Sequence, residues 1–99
     1  MINANIHRET IIVGNELVEI DLCYFKIIRE TGSFIEIMSK NTKHCWLIQK
    51  KRDDDNLIIL HHKHSMQIPY YHKQKEVSSV AHAMKLIKGH DRFVLQQRV

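Results

Sequence analysis

The sequence predicts an α+β fold: a mainly antiparallel meander sheet of about five strands, with one C-terminal helix over residues 76–88 packed on it. Three observations carry this. The first two-thirds of the chain alternates apolar and polar residues between short turn signals, the period of a strand with one buried face. A single late segment changes to helical spacing. Every connection between segments is short, so consecutive strands are expected to be neighbours and a meander is the simplest topology. With 99 residues, 43% of them hydrophobic and 26% charged, the chain suffices for one core and one domain spanning 1–99. The same balance excludes a disordered chain, and three glycines and one proline exclude collagen-like and low-complexity classes.

Each element has a local reason. Glu9–Val13 is a β-branched run ended by Gly14-Asn15, a hairpin signal. Leu17–Arg29 reads as one long strand, with Val18, Ile20, Leu22 and Tyr24 on one face and a bulge near Phe25, where the pattern becomes two-sided. Glu30–Ser33 turns the chain, Phe34–Met38 is a strand, and Asn41–Lys43 turns it again. Cys45–Lys51 and Leu57–His64 form a hairpin across the Asp53–Asn56 tip, whose side chains suit a turn. Ile68 is extended because Pro69 follows it. From Lys75 the spacing is helical: Val77, Val80, Ala81, Met84 and Ile87 make one stripe, Lys85 and Lys88 sit where a helix end favours cations, and Gly89 stops the helix. Phe93–Val99 is a short final strand or an irregular tail. The predicted core is Val18, Ile20, Leu22, Ile35, Ile37, Leu47, Ile58, Leu60, Val80, Met84 and Ile87.

Charge divides the chain. Residues 1–40 carry a net −2, residues 41–99 a net +6, and seven of the eight histidines lie in the second part. Partial protonation of those histidines near pH 6.5 adds positive charge, and such asymmetry points to an anionic partner. The basic residues are interleaved with tyrosine over 61–64 and 70–75, and the polar face of the helix is basic too. Lys63, Tyr71, His72, Lys73, Lys75, His82 and Lys85 are therefore the candidate surface for weak binding of nucleic acid or another polyanion, by phosphate contact and base stacking. The alternative is an interaction or assembly module, a homo-oligomer formed through a sheet edge or the helix, in which the charge plays no part.

Catalysis has little support. No glycine-rich phosphate loop, G-x-S-x-G or H-E-x-x-H is present, and Asp53, Asp54 and Asp55 at a hairpin tip would not hold paired carboxylates at a fixed distance. The chain reads as non-enzymatic, with no cofactor. Two cysteines, Cys23 and Cys45, are too few for a disulfide framework and read as buried thiols. A hairpin centred on Asp54-Asp55 would set Cys45 opposite His64, Leu47 opposite His62 and Ile48 opposite His61, leaving Cys45, His62 and His64 on one face. Three donors fall short of a closed zinc site, no C-x-x-C or H-x-x-x-H spacing supports one, and the expectation is that no metal binds. The first residues lack the charged and apolar regions of a signal peptide, and the longest apolar run is the four residues Leu57–Leu60, so the expected location is the cytoplasm and no membrane partner is expected.

Overall fold

Among the described residues, seven strands precede one helix: β1 (Arg8–Val13), β2 (Glu16–Asp21), β3 (Phe25–Glu30), β4 (Phe34–Ser39), β5 (Cys45–Lys50), β6 (Ile58–Lys63), β7 (His72–Val77) and α1 (Val80–Gln97). The structure is a computed structural model and describes residues 7–51 and 57–98. Strands β3 to β7 form an antiparallel meander in chain order, and β1 and β2 pair separately as a hairpin. The predicted α+β architecture with a meander sheet is therefore present, with the hairpin as an added element.

One face of the meander is the core. Ile35 and Ile37 of β4, Trp46 and Ile48 of β5, and Ile58 and Leu60 of β6 meet Val80, Ala83 and Ile87 of α1. The β1–β2 hairpin closes the same core with Ile11, Val13, Val18 and Ile20. Its turn runs through Gly14 at φ 62°, and the Gly14 N–H donates to the Gly32 carbonyl at 2.7 Å. Eight of the predicted core residues are buried, whereas Leu22, Leu47 and Met84 are only half-buried.

Four details differ from the sequence expectations. The long strand over Leu17–Arg29 is two strands in two different sheets. Asp21 divides it: its Oδ1 accepts from the Cys23 N–H at 2.9 Å and its carbonyl from the Tyr24 N–H at 3.1 Å, a local turn that competes with the ladder. Cys23 is exposed in that turn; only Cys45 is buried.

The segment expected to begin the helix is strand β7, paired to β6 from Ile58↔Val77 to His62↔His72. The helix starts at Val80, where Ser79 accepts from the His82 N–H at 3.0 Å and the Glu16 carboxylate accepts from the Val80 and Ala81 N–H groups at 2.7 and 3.0 Å. Three of the four donors that a helix start leaves unpaired are thus satisfied, one by the local cap and two by a strand far away in sequence. Consequently Ala81 is exposed rather than on the buried stripe.

Gly89 does not stop α1. Glycine inside a helix costs only about 1 kcal/mol, and the next turn is tied down. Asp91, fully buried, accepts from Tyr24 Oη at 2.7 Å and Thr42 Oγ1 at 2.9 Å, and Arg98 donates to the Thr42 carbonyl at 3.1 Å. Phe93–Gln97, within the segment expected as a final strand or tail, is therefore the last part of α1.

The β5–β6 hairpin forms, but its register is one residue away from the expected one: Cys45↔Lys63, Trp46↔His62, Leu47↔His61 and Ile48↔Leu60. The Asp53–Asn56 tip lies outside the described residues. Because side chains alternate, a one-residue slip moves Cys45 to the face opposite His62. The set Cys45, His62 and His64 does not share a face. Among the described residues no helix is long and apolar enough to cross a membrane.

Candidate metal centre

The true register brings together a different set of donors. With Trp46 opposite His62, the same alternation places His44, one residue before β5, and His64, one residue after β6, on the core face at the same end of the hairpin. The turn before β5 aims His44. Lys43 takes a left-handed φ of 67° and donates its N–H to the Ser39 carbonyl at 2.8 Å, and Thr42 Oγ1 accepts from the His44 N–H at 3.2 Å. From the other side α1 contributes His90, one residue before the anchored Asp91.

One nitrogen from each of His44, His62 and His90 lies within 4.8 Å of the other two. His44 Nδ1 and His62 Nε2 are 2.8 Å apart, so one ring donates a proton to the other. His62 is the hub: its ring centroid lies 4.9 Å from His44, 5.1 Å from His64, 5.3 Å from His72, 4.7 Å from His90 and 4.2 Å from Trp46. The Trp46 indole N–H, held by Ser39 Oγ at 3.1 Å, fixes that wall.

Burial keeps these rings neutral. His62 is 1% exposed, and its pKa is pushed down to about 3, first by desolvation and then by the neighbouring imidazoles. His44 and His90 are lowered for the same first reason, while Asp91 pulls both back up. Neutral imidazole is the form that ligates a metal. Nδ1 of His90 is buried without a hydrogen-bond partner, a cost that coordination through that atom would remove. In a tetrahedral site with bonds of about 2.0–2.1 Å the nitrogens stand roughly 3.3 Å apart. The His44–His62 separation of 2.8 Å is about half an ångström shorter than this, and none of the three separations exceeds 4.8 Å.

The seven residues of the predicted polyanion surface do not form one group. His62↔His72 and Leu60↔Lys75 pair on the core side of the sheet, and His82 and Lys85 are exposed on α1. Lys63 and Lys73 lie on the opposite face with Tyr71. There Lys63 is largely buried, with Nζ 4.6 Å from the Tyr71 ring centroid, and Lys73 is paired with Glu76. Tyr71 Oη donates to Glu36 Oε2 at 2.8 Å, and Arg29 Nε donates to Glu36 Oε1 at 2.9 Å. This network seats Tyr71 on the far face, and Cys45, buried, has its thiol pKa raised by burial.

Sequence reasoning considered His62 and His64 but paired them with the wrong neighbour, and it did not connect His90 to either. The available signal was Trp46: a large aromatic wants the core face, which requires the register observed and turns His44 inward with it. Comparison with protein-family models, curated proteins and solved structures finds no match to this chain.

Proposed function

We propose that this chain is a small non-enzymatic binding domain whose ligand is a divalent transition-metal ion, held by His44, His62 and His90. The observation that carries the reading is the convergence of three imidazole nitrogens within 4.8 Å, drawn from a turn, a strand and a helix. Imidazole donors suit zinc, copper and nickel, whereas magnesium and calcium want oxygen. The fully buried carboxylate of Asp91 supplies negative potential beside the rings, which favours a cation among them.

The test is a titration of tag-free, chelator-treated protein with Zn(II) by calorimetry. One ion per chain is expected, with no heat from Mg(II) and at least about tenfold weaker binding in His90→Ala. Absence of Zn(II) binding up to millimolar concentration would remove the reading.

A second reading rests on the other four of the seven residues. His72 and Lys75 lie on the core side of β7 and His82 and Lys85 are exposed on α1; of the four, Lys75 lines, with Gln74, Leu86 and His90, a cavity of about 240 Å³. Exposed cationic or titratable groups on neighbouring elements suit weak, sequence-tolerant contact with the phosphates of nucleic acid or another polyanion. Oligonucleotide binding that falls steeply between 50 and 200 mM salt is its expected signature; binding indifferent to salt contradicts it.

A further inference from the structure

We infer that His64 is the fourth ligand of this centre, so that the ion is zinc held in a closed, all-imidazole tetrahedron; the inference rests on the metal reading above. Three protein ligands leave a tetrahedral ion one position short, and the molecule offers two further imidazoles nearby. His64 is in ring contact with two of the three ligands, 5.0 Å from His44 in a stacked arrangement and 5.1 Å from His62. His72 touches one ligand, His62, at 5.3 Å and edge-on.

Position and freedom also separate them. His64 stands two residues beyond His62, so both project from the same face of the strand direction. It follows the last residue of β6, is exposed, and has no side-chain hydrogen bond among the described residues. Turning its ring from the His44 stack toward the centre breaks no ladder bond. His72, the first residue of β7, is itself a rung of the ladder, paired with His62, and that pairing sets its backbone direction.

The chemistry of the set follows. Four neutral imidazoles bring no charge, so the ion keeps its +2 and Asp91 is the nearest compensating group that the structure places beside these rings. A closed tetrahedron of nitrogen donors is a zinc arrangement, with octahedral oxygen-seeking ions excluded by donor type and number. No solvent molecule is bound to such an ion, so none is activated, and the centre ties α1 to the β5–β6 hairpin rather than performing hydrolysis.

The experiment uses the full chain, tag-free, with Co(II) as the spectroscopic stand-in for zinc. Wild type, His64→Ala and His72→Ala are compared by visible absorption titration and by X-ray absorption of the zinc-loaded proteins; far-ultraviolet dichroism verifies that each is folded. The expected result is four nitrogen ligands in the wild type and His72→Ala. In His64→Ala one nitrogen is replaced by a solvent oxygen and affinity falls at least about tenfold. Unchanged affinity and four nitrogens in His64→Ala, or loss in His72→Ala instead, would overturn the assignment of His64 while leaving the three-histidine site intact. A wild-type chain that takes up neither Co(II) nor Zn(II) would overturn the metal reading itself.

Discussion

Burial of imidazole sets the acid sensitivity of the metal-free chain. Unfolded histidines take up protons near pH 6.5, whereas folded His62 holds off protonation to about pH 3, and His44, His61 and His90 are also lowered by desolvation. The unfolded state therefore binds more protons in this window, so stability is fully present above about pH 6.5 and is lost as pH falls toward 3. Urea midpoints at pH 7.5 and 5 are expected to differ by the equivalent of about 1–2 kcal/mol in favour of pH 7.5. Glu36, whose carboxyl stays ionised below its ordinary range because Tyr71 and Arg29 bond to it, adds its own loss only at lower pH. Equal midpoints would show that the rings are hydrated in solution. Asp91 is the other decisive residue. Its removal strands the hydroxyls of Tyr24 and Thr42, and Asp91→Ala is expected to cost about 2–4 kcal/mol, with Asp91→Asn milder because it keeps acceptor capacity; thermal melts of the two variants measure the difference.

The elements show where sequence patterns suffice and where they fail. Alternation located the strands β4, β5 and β6 well, because each has one face against a helix and needs apolar residues at period two. It failed at Asp21, where one side chain bends the backbone, and at His72–Val77, whose four leading residues are exposed on the sheet edge and so carry no alternation. The helix start was misplaced for a related reason. Val77 and Val80 fit a helical stripe by spacing, but Val77 is a strand residue buried opposite Ile58. The cap at Ser79 was the overlooked local signal. Ser79→Ala is expected to cost about 1 kcal/mol in chemical denaturation, and a neutral result would mean that Glu16 alone satisfies the helix start.

At the level of the whole molecule, the candidate centre was illegible in the sequence because its parts lie 18 and 28 residues apart and belong to a turn, a strand and a helix. No spacing rule joins them; the hairpin register and the path of α1 beyond Gly89 do. That geometry makes metal binding a folding event, since the unfolded chain has no such site. Zinc at about 100 times its dissociation constant is expected to add about 2.7 kcal/mol, raising the melting temperature of a chain this size by roughly 10–20 °C. Calorimetric scans with and without zinc test this, and an unchanged melting point contradicts it.

The wall beside His62 also makes the molecule its own reporter. Trp46 is the only tryptophan in the chain, is 1% exposed, and has its indole centroid 4.2 Å from His62 and 5.1 Å from His90. Its emission is expected at short wavelength, free of interference from any second indole. Cu(II) bound to those rings would extinguish it through the open d shell, while Zn(II), with a filled shell, would leave it bright. Comparing the two ions in a single cuvette thus separates occupancy of this site from adventitious binding elsewhere, because copper on a distant surface histidine would leave the light largely undimmed.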